Sequence, residues 1–157
     1  MKVTTEIQGS MTMFERFKEY LKAVELSYSL VENETIIMFG YTSRGNYQCI
    51  IDIDNEDKIV IIYTILGSLV QSEKRNRIAQ LLTRVNLGIR IGNFEMDYND
   101  GQIRYKTSVD YDGIKEFDDS FIENLILSNL TKTDEYYQAI EEGLHTRKTI
   151  EKILERF

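Results

Sequence analysis

Apolar positions recur along the chain with two different periods, and the switches between them mark out its elements. Residues 12–24 carry Met13, Phe14, Phe17, Leu21 and Val24 on one helical face, and Thr12 with Glu15 forms a capping-box pair at the start. Three runs rich in β-branched and aromatic residues follow, at 35–42, 47–54 and 58–66. Arg44-Gly45-Asn46 and Asn55-Glu56-Asp57 read as the turns between them. A second helix is predicted over 72–87, where Ile78, Leu81, Leu82 and Val85 repeat at helical spacing, and Gly88 is placed to end it in the left-handed conformation. A third helix opens at Ser120, where Glu123 repeats the capping-box pattern ahead of Leu125 and Ile126. Helical spacing resumes from Thr133 through Tyr137, Ile140 and Leu144, with Gly143 costing that helix about 1 kcal/mol against Ala. A short stripe of Ile150, Ile153, Leu154 and Phe157 closes the chain. The order predicts an α+β fold in a single domain over 1–157: helix, three antiparallel strands, helix, β-hairpin and helices, with a helical C-terminal extension from about 133.

Residues 91–111 form the most strongly patterned stretch. Phe94, Met96 and Tyr98 alternate with Glu95 and Asp97, Asn99-Asp100-Gly101 turns the chain, and Ile103, Tyr105, Thr107 and Val109 alternate with Arg104, Lys106 and Ser108. A two-residue turn at Asp100-Gly101 pairs Tyr98 with Ile103 and Met96 with Tyr105 on the buried side. It sets Asp97 against Arg104 and Glu95 against Lys106 on the wet side. The three earlier strands lack such alternation. With even-length turns, one face of their sheet carries Ile36, Met38, Ile51, Ile53, Val60 and Ile62. The other carries Ile37, Phe39, Tyr41, Ile50, Ile61, Tyr63 and Ile65, with only Gln48 and Asp52 polar. A doubly apolar sheet is either covered on both sides by the chain's own helices or leaves a surface for a partner. On the second reading the partner surface is Ile37, Phe39, Tyr41, Ile50, Ile61 and Tyr63.

Composition narrows the chemistry. The 157 residues include one histidine, one cysteine, no tryptophan and no proline, so a site needing two histidines or a cysteine cluster cannot be built within one chain. Asp52 to Asp57 and Asp97 to Gly101 begin like calcium loops, but the first has Asp57 and Tyr63 where Gly and Glu are needed, and the second has Gln102 and Ser108. The glycines match neither phosphate-binding pattern. His145 lies in a charged helical stretch without a neighbouring nucleophile pattern, and Cys49 occupies an inward strand position, as a small hydrophobe would. These counts call for no catalytic residue, no cofactor and no metal. A net charge of -7 disfavours nucleic acid as a partner, no apolar stretch is long enough to span a membrane, and the absence of a signal peptide points to the cytoplasm. Lys74, Arg75, Arg77 and Arg84 flank the apolar stripe of the second helix, whereas residues 112–135 hold seven acids and two lysines. Both are patterns of solvated faces, or of steering toward a complementary partner, a second copy included.

From Asn86 to Tyr105 the chain reads Asn-x5-Gly-x-Phe-Glu-x-Asp-x2-Asp-Gly-x3-Tyr, with Asp134-Glu135-Tyr136-Tyr137 downstream. In these motifs, and in its order of elements, the chain resembles the YbjN-like family of bacterial proteins. The resemblance implies a fold like that of type III secretion chaperones, which are small, acidic, cytoplasmic dimers that hold an extended segment of a client. It also implies a role in regulating sensory transduction and brings no catalytic residues with it. The expectation is a non-enzymatic, chaperone-like or regulatory homodimer that binds a protein client. The alternatives are a sensory regulator that binds a small ligand and, third, a small hydrolase built around His145.

Overall fold

The computed structural model describes residues 11–114 and 117–157. Its elements are α1 (Met13–Ala23), β1 (Ser29–Leu30), β2 (Ile36–Thr42), β3 (Asn46–Asp54), β4 (Ile59–Leu69), a 3-10 turn (Ser72–Lys74), α2 (Arg75–Gly88), β5 (Asn93–Met96), β6 (Gln102–Asp110), α3 (Asp119–His145) and α4 (Ile150–Leu154). The strands make one antiparallel sheet in the order β1-β2-β3-β4-β6-β5. The fold is α+β, as the periodicities predict, with the two-residue β1 as an unforeseen edge strand.

Both core clusters lie on the same side of this sheet. Over β2–β4, Met13, Phe17 and Leu21 of α1 and Ile122, Ile126 and Leu130 of α3 meet Ile37, Phe39, Cys49, Ile51, Ile53, Val60 and Ile62. Toward β5 and β6, Ile78, Leu81, Leu82 and Val85 of α2 pack with Ile140 and Leu144 of α3 and Ile150 and Ile153 of α4 against Phe94, Ile103 and Tyr105. Side chains such as Phe17, Leu21 and Ile122, with no exposed area, each contribute about 1.5–3 kcal/mol by burial. Thr12 caps α1 reciprocally with Glu15, as the capping-box pattern predicts.

The two helices predicted after residue 120 are one. No glycine or proline falls between 119 and 142, and α3 runs unbroken for 27 residues, about 40 Å. Its midpoint is fixed to the sheet by a buried amide. Asn129 donates from Nδ2 to the Ile62 carbonyl and to Thr107 Oγ1, both at 2.9 Å, and its Oδ1 accepts from Thr64 Oγ1 at 2.5 Å. Thr133 Oγ1 donates to the Asn129 carbonyl one turn earlier, so every polar group in this node is satisfied. The C-terminal end of α3 is closed by cations at the start of α2: Lys74, in the 3-10 turn that leads into it, donates to the Leu144 carbonyl at 2.7 Å, and Arg77 to that of Gly143 at 3.1 Å. The basic flank of α2 therefore serves the negative end of a neighbouring helix. Gly143 is the price of that closeness, since a Cβ there would lie 2.7 Å from Leu81 Cδ2.

Strand register departs from expectation in two informative ways. The loop between Asp97 and Gln102 holds four residues rather than two, so Met96 pairs with Ile103 and Phe94 with Tyr105. A shift by two preserves every face, and Glu95 still meets Arg104 (2.8 Å) and Lys106 (3.6 Å). The loop joining β2 to β3 is odd: Thr42 pairs with Asn46 across Ser43-Arg44-Gly45. That parity turns β2 over relative to the even-turn reading, placing Ile37, Phe39 and Tyr41 on the helix side and Ile36 and Met38 on the other. The tip is held by α3. Asp134 accepts from Tyr47 Oη at 2.6 Å and from the Arg44 amide at 3.3 Å, and Gly45 lies beneath Tyr137, where a Cβ would come within 2.5 Å of the ring. Gly88 also differs from expectation. It ends α2 without a left-handed conformation, which falls instead at Gly92 and Gly101 in the hairpin.

Two outcomes follow from these contacts. Asn129→Ala leaves the Ile62 carbonyl and two threonine hydroxyls without their partner, so the urea midpoint should fall by an amount worth about 2–3 kcal/mol with the slope unchanged. Burial works to raise the Asp134 pKa, but hydrogen bonds from Ser43, Tyr47 and Arg44 outweigh it and hold the carboxyl below its ordinary 3.8. A pKa lowered by folding contributes stability above the unfolded value that is lost as pH falls through the folded one. Asp134→Asn should therefore be less stable than the parent at pH 7, and urea titrations at successively lower pH should show the gap narrowing below about 3.8.

Candidate functional site: the uncovered face of the sheet

Because α1–α4 all pack on one side, the opposite face of the sheet has no helix over it among the described residues. The registers place its side chains in rows. One row runs Ile36, Asp52, Ile61, Ser108 and the next runs Met38, Ile50, Tyr63, Lys106. Gln48, Ile65, Arg104 and Glu95 form a third, and Asp54, Ile59 and Asp110 a fourth. Seven apolar residues (Ile36, Met38, Ile50, Ile59, Ile61, Tyr63 and Ile65) thus form one block, each half-buried only by its neighbours. A sheet face left to water ordinarily alternates toward polar residues, and this one does so at its margin and, within the block, at Asp52.

That margin is ordered by charge. Glu95 bridges Arg104 and Lys106, and the Arg104 guanidinium lies over the Tyr63 ring, 4.7 Å from its centroid. Burial works to raise the Glu95 pKa, but hydrogen bonds from Arg104 and Asn93 and the Lys106 charge hold it below its ordinary value. Asp52, Asp54 and Asp110 lie toward the opposite end of the strands, so the apolar block runs between a basic and an acidic end.

Of the six residues assigned to a partner surface from sequence, Ile50, Ile61 and Tyr63 are on this face. Ile37 and Phe39 are not: at 0% and 5% exposure they lie under α1 and α3. Tyr41 is half-buried on the helix side, stacked with Tyr47 at 6.2 Å. The even-turn assumption placed those three outward, and the same assumption hid Ile36 and Met38, which replace them. The signal that could have found this is Gly45 with Asp134 and Tyr137, a contact that spans about ninety residues.

The remaining candidates have local roles. Cys49 is fully buried 3.8 Å from Thr64 Oγ1, and burial pushes its thiol up to about 11. His145 ends α3, exposed, with Nε2 3.5 Å from a Glu141 carboxylate oxygen. In the two acidic loops, Asp54 accepts from the Glu56 and Asp57 amides, Asp97 from Asn99 and Asp100 from Gln102. No group of three or more potential metal ligands occurs among the described residues.

The Asn86–Tyr105 motif is a clamp. Asn86 Oδ1 accepts from the Phe94 amide (2.8 Å) and Nδ2 donates to the Phe94 carbonyl (3.0 Å), so a side-chain amide occupies the outer edge of β5 as a neighbouring strand would. Gly92, at φ 75°, lets the chain pass against β6, and the Tyr105 hydroxyl donates to the Ile91 carbonyl. Phe94 packs edge-on against both Tyr105 and Tyr136, and Gly101, at φ 84°, lies against Val70. Only Glu95 of this motif reaches the uncovered face.

A family model described as "YbjN: Putative bacterial sensory transduction regulator" matches residues 14–142. The chain belongs to the YbjN family. Among solved structures, that of YbjN from E. coli, "a putative transcription regulator", superposes with a TM-score of 0.63 at 10% identity, covering 85% of this chain and 93% of that one. At that identity the likeness is one of fold. No curated protein sequence matches the chain. The YbjN match ends at 142, whereas α3 continues to His145 and α4 adds Ile150 and Ile153 to the core. No helix among the described residues is long and apolar enough to cross a membrane.

The clamp makes a direct comparison possible. A Cβ at Gly92 would lie 2.5 Å from the Lys106 carbonyl oxygen, in a backbone conformation that side chains rarely adopt. At Gly40, on the uncovered face, it would meet nothing within 4 Å. Gly92→Ala should cost about 2–4 kcal/mol in urea unfolding, while Gly40→Ala stays within about 1 kcal/mol of the parent.

Proposed function

We propose that this YbjN-family chain is a non-enzymatic regulatory domain that works by binding another protein, and that the uncovered sheet face is its docking surface. The observation that carries the reading is the block of seven apolar side chains on a sheet face without a helix over it. Water around such a block is a standing cost that a partner removes, at roughly 25 cal/mol for each Å² of apolar surface covered. The block is a pleated sheet face, which suits an extended segment or another sheet, and its charged ends set the direction in which a partner lies. The family description as a sensory transduction regulator supports the regulatory part of the reading. Its chaperone-like part, holding a client segment on the surface, rests on the same face.

A second observation favours small-ligand sensing as the alternative. Between the end of α2 and the outer side of α3 lies a groove of about 500 Å³ with Ile91 and Leu127 as apolar wall, Asn124, Ser128 and Thr131 as polar groups, and Arg90 and Lys132 as cations. That lining suits an amphipathic anion.

Affinity capture separates the two. Ile61→Asp and Ile50→Asp, each checked for folding by circular dichroism, should lose at least about tenfold of the partner captured by the parent protein, and Leu127→Asp should lose none. If both sheet variants fold and retain every partner, the docking surface is wrong. If Leu127→Asp alone loses the partner, the groove takes its place.

A further inference from the structure

We infer that the uncovered sheet face binds a second copy of this chain, the two sheets packing face to face about a two-fold axis that runs across the strands and crosses β4 between Ile61 and Tyr63. The inference rests on the docking-surface reading and specifies its occupant.

The rows of the face decide which axis fits. A two-fold interface is isologous, so the face must complement itself. For two sheets packed face to face, the axis lies between them, either along the strands or across them. An axis along β4 keeps each row and exchanges the strands to its left and right. It would set Asp54 of one copy over Asp110 of the other, like charge on like. An axis across the strands keeps each strand over itself and exchanges the rows. Ile61 then lies over Tyr63 of the second copy, Ile59 over Ile65 and Ile36 over Met38. Arg104 lies over Asp110, Lys106 over Ser108 and Asp54 over Gln48. Apolar residues meet apolar ones through the centre, and the basic end of each sheet meets the acidic end of the other. Asp52 over Ile50, within the block on β3 between Ile36 and Ile61, is the one unfavourable match.

Size sets the strength. Five strands about 4.8 Å apart, rising about 3.3 Å per residue over seven or eight residues, present a face of roughly 600 Å². The pair of copies then buries about 1,200 Å², the lower limit for a specific interface. An interface at that limit belongs with the weak, transient ones, so the dimer exchanges with monomer and leaves the face available to a partner that binds it more tightly.

Sedimentation equilibrium at physiological salt, from low micromolar to near-millimolar protein, tests this. The parent chain should show a monomer–dimer equilibrium. Ile61→Asp should be monomeric throughout, and Asp110→Lys, at an exposed strand end with little risk to folding, should weaken the dimer at least about tenfold. Ile61→Cys should be joined to its mate by a short bismaleimide while Leu127→Cys is not, and Cys49, fully buried, should take no part. A parent chain that is monomeric at every concentration overturns the inference, as does a dimer indifferent to Asp110→Lys and not cross-linked through position 61. A monomer whose Ile61→Asp variant loses its captured partner overturns self-association and leaves the docking surface standing. A dimer held through another face, with capture indifferent to Ile61→Asp, overturns both.

Discussion

The side-chain amide of Asn129 is the point on which the geometry of this chain turns. It ties the middle of a long helix to two adjacent strands through the Ile62 carbonyl and the hydroxyls of Thr64 and Thr107. An amide buried among hydrocarbon groups is tolerated only where its partners are in place, so it allows one position of α3 over the sheet and penalises its neighbours. From that fixed midpoint the helix extends to Asp134 and Tyr137, which receive the tip of the β2–β3 hairpin. The tip in turn has an odd number of residues, and the odd count decides which side of β2 faces the helices. The composition of the uncovered face is thus linked, through the helix, to an amide on the other side of the sheet.

The same arrangement separates structural polar chemistry from surface chemistry. Lys74 and Arg77 are engaged with the carbonyls at the end of α3, Arg75 with those of Val70 and Tyr98, and the carboxylates of the acidic loops with the backbone of their own turns. The sole thiol is buried in the sheet, and burial keeps it protonated at neutral pH. What remains outward on the uncovered face is a block of hydrocarbon side chains interrupted by Asp52, with a charged group at either end.

Much of this was legible in the sequence, and where it was not, the reason is physical. Helix starts at Thr12, the faces of β3, β4 and the last hairpin, and the family itself follow from short-range pattern, because capping and alternation are set by neighbours. A two-residue error in the last turn did no harm, since side chains alternate with period two. A one-residue error at Ser43-Arg44-Gly45 exchanged Ile36 and Met38 for Ile37, Phe39 and Tyr41 in the candidate surface. The information that decides it is in residues 134 and 137, far along the chain, and no local rule could supply it. The continuity of α3 was obscured for a similar reason: Thr133 reads as a restart, but its hydroxyl bonds to the carbonyl of Asn129 and sits within the helix.

One detail at the rim of the sheet limits what this molecule can become. Asn86 occupies the outer backbone groups of Phe94, so β5 offers a newcomer little to pair with, and at the other margin β1 is only two residues long. Growth by adding strand to strand, the route to open-ended fibres, is blunted at both margins. With helices over one side of the sheet, stacking on the other side has room for a single companion, whereas pairing along an open edge would have no end.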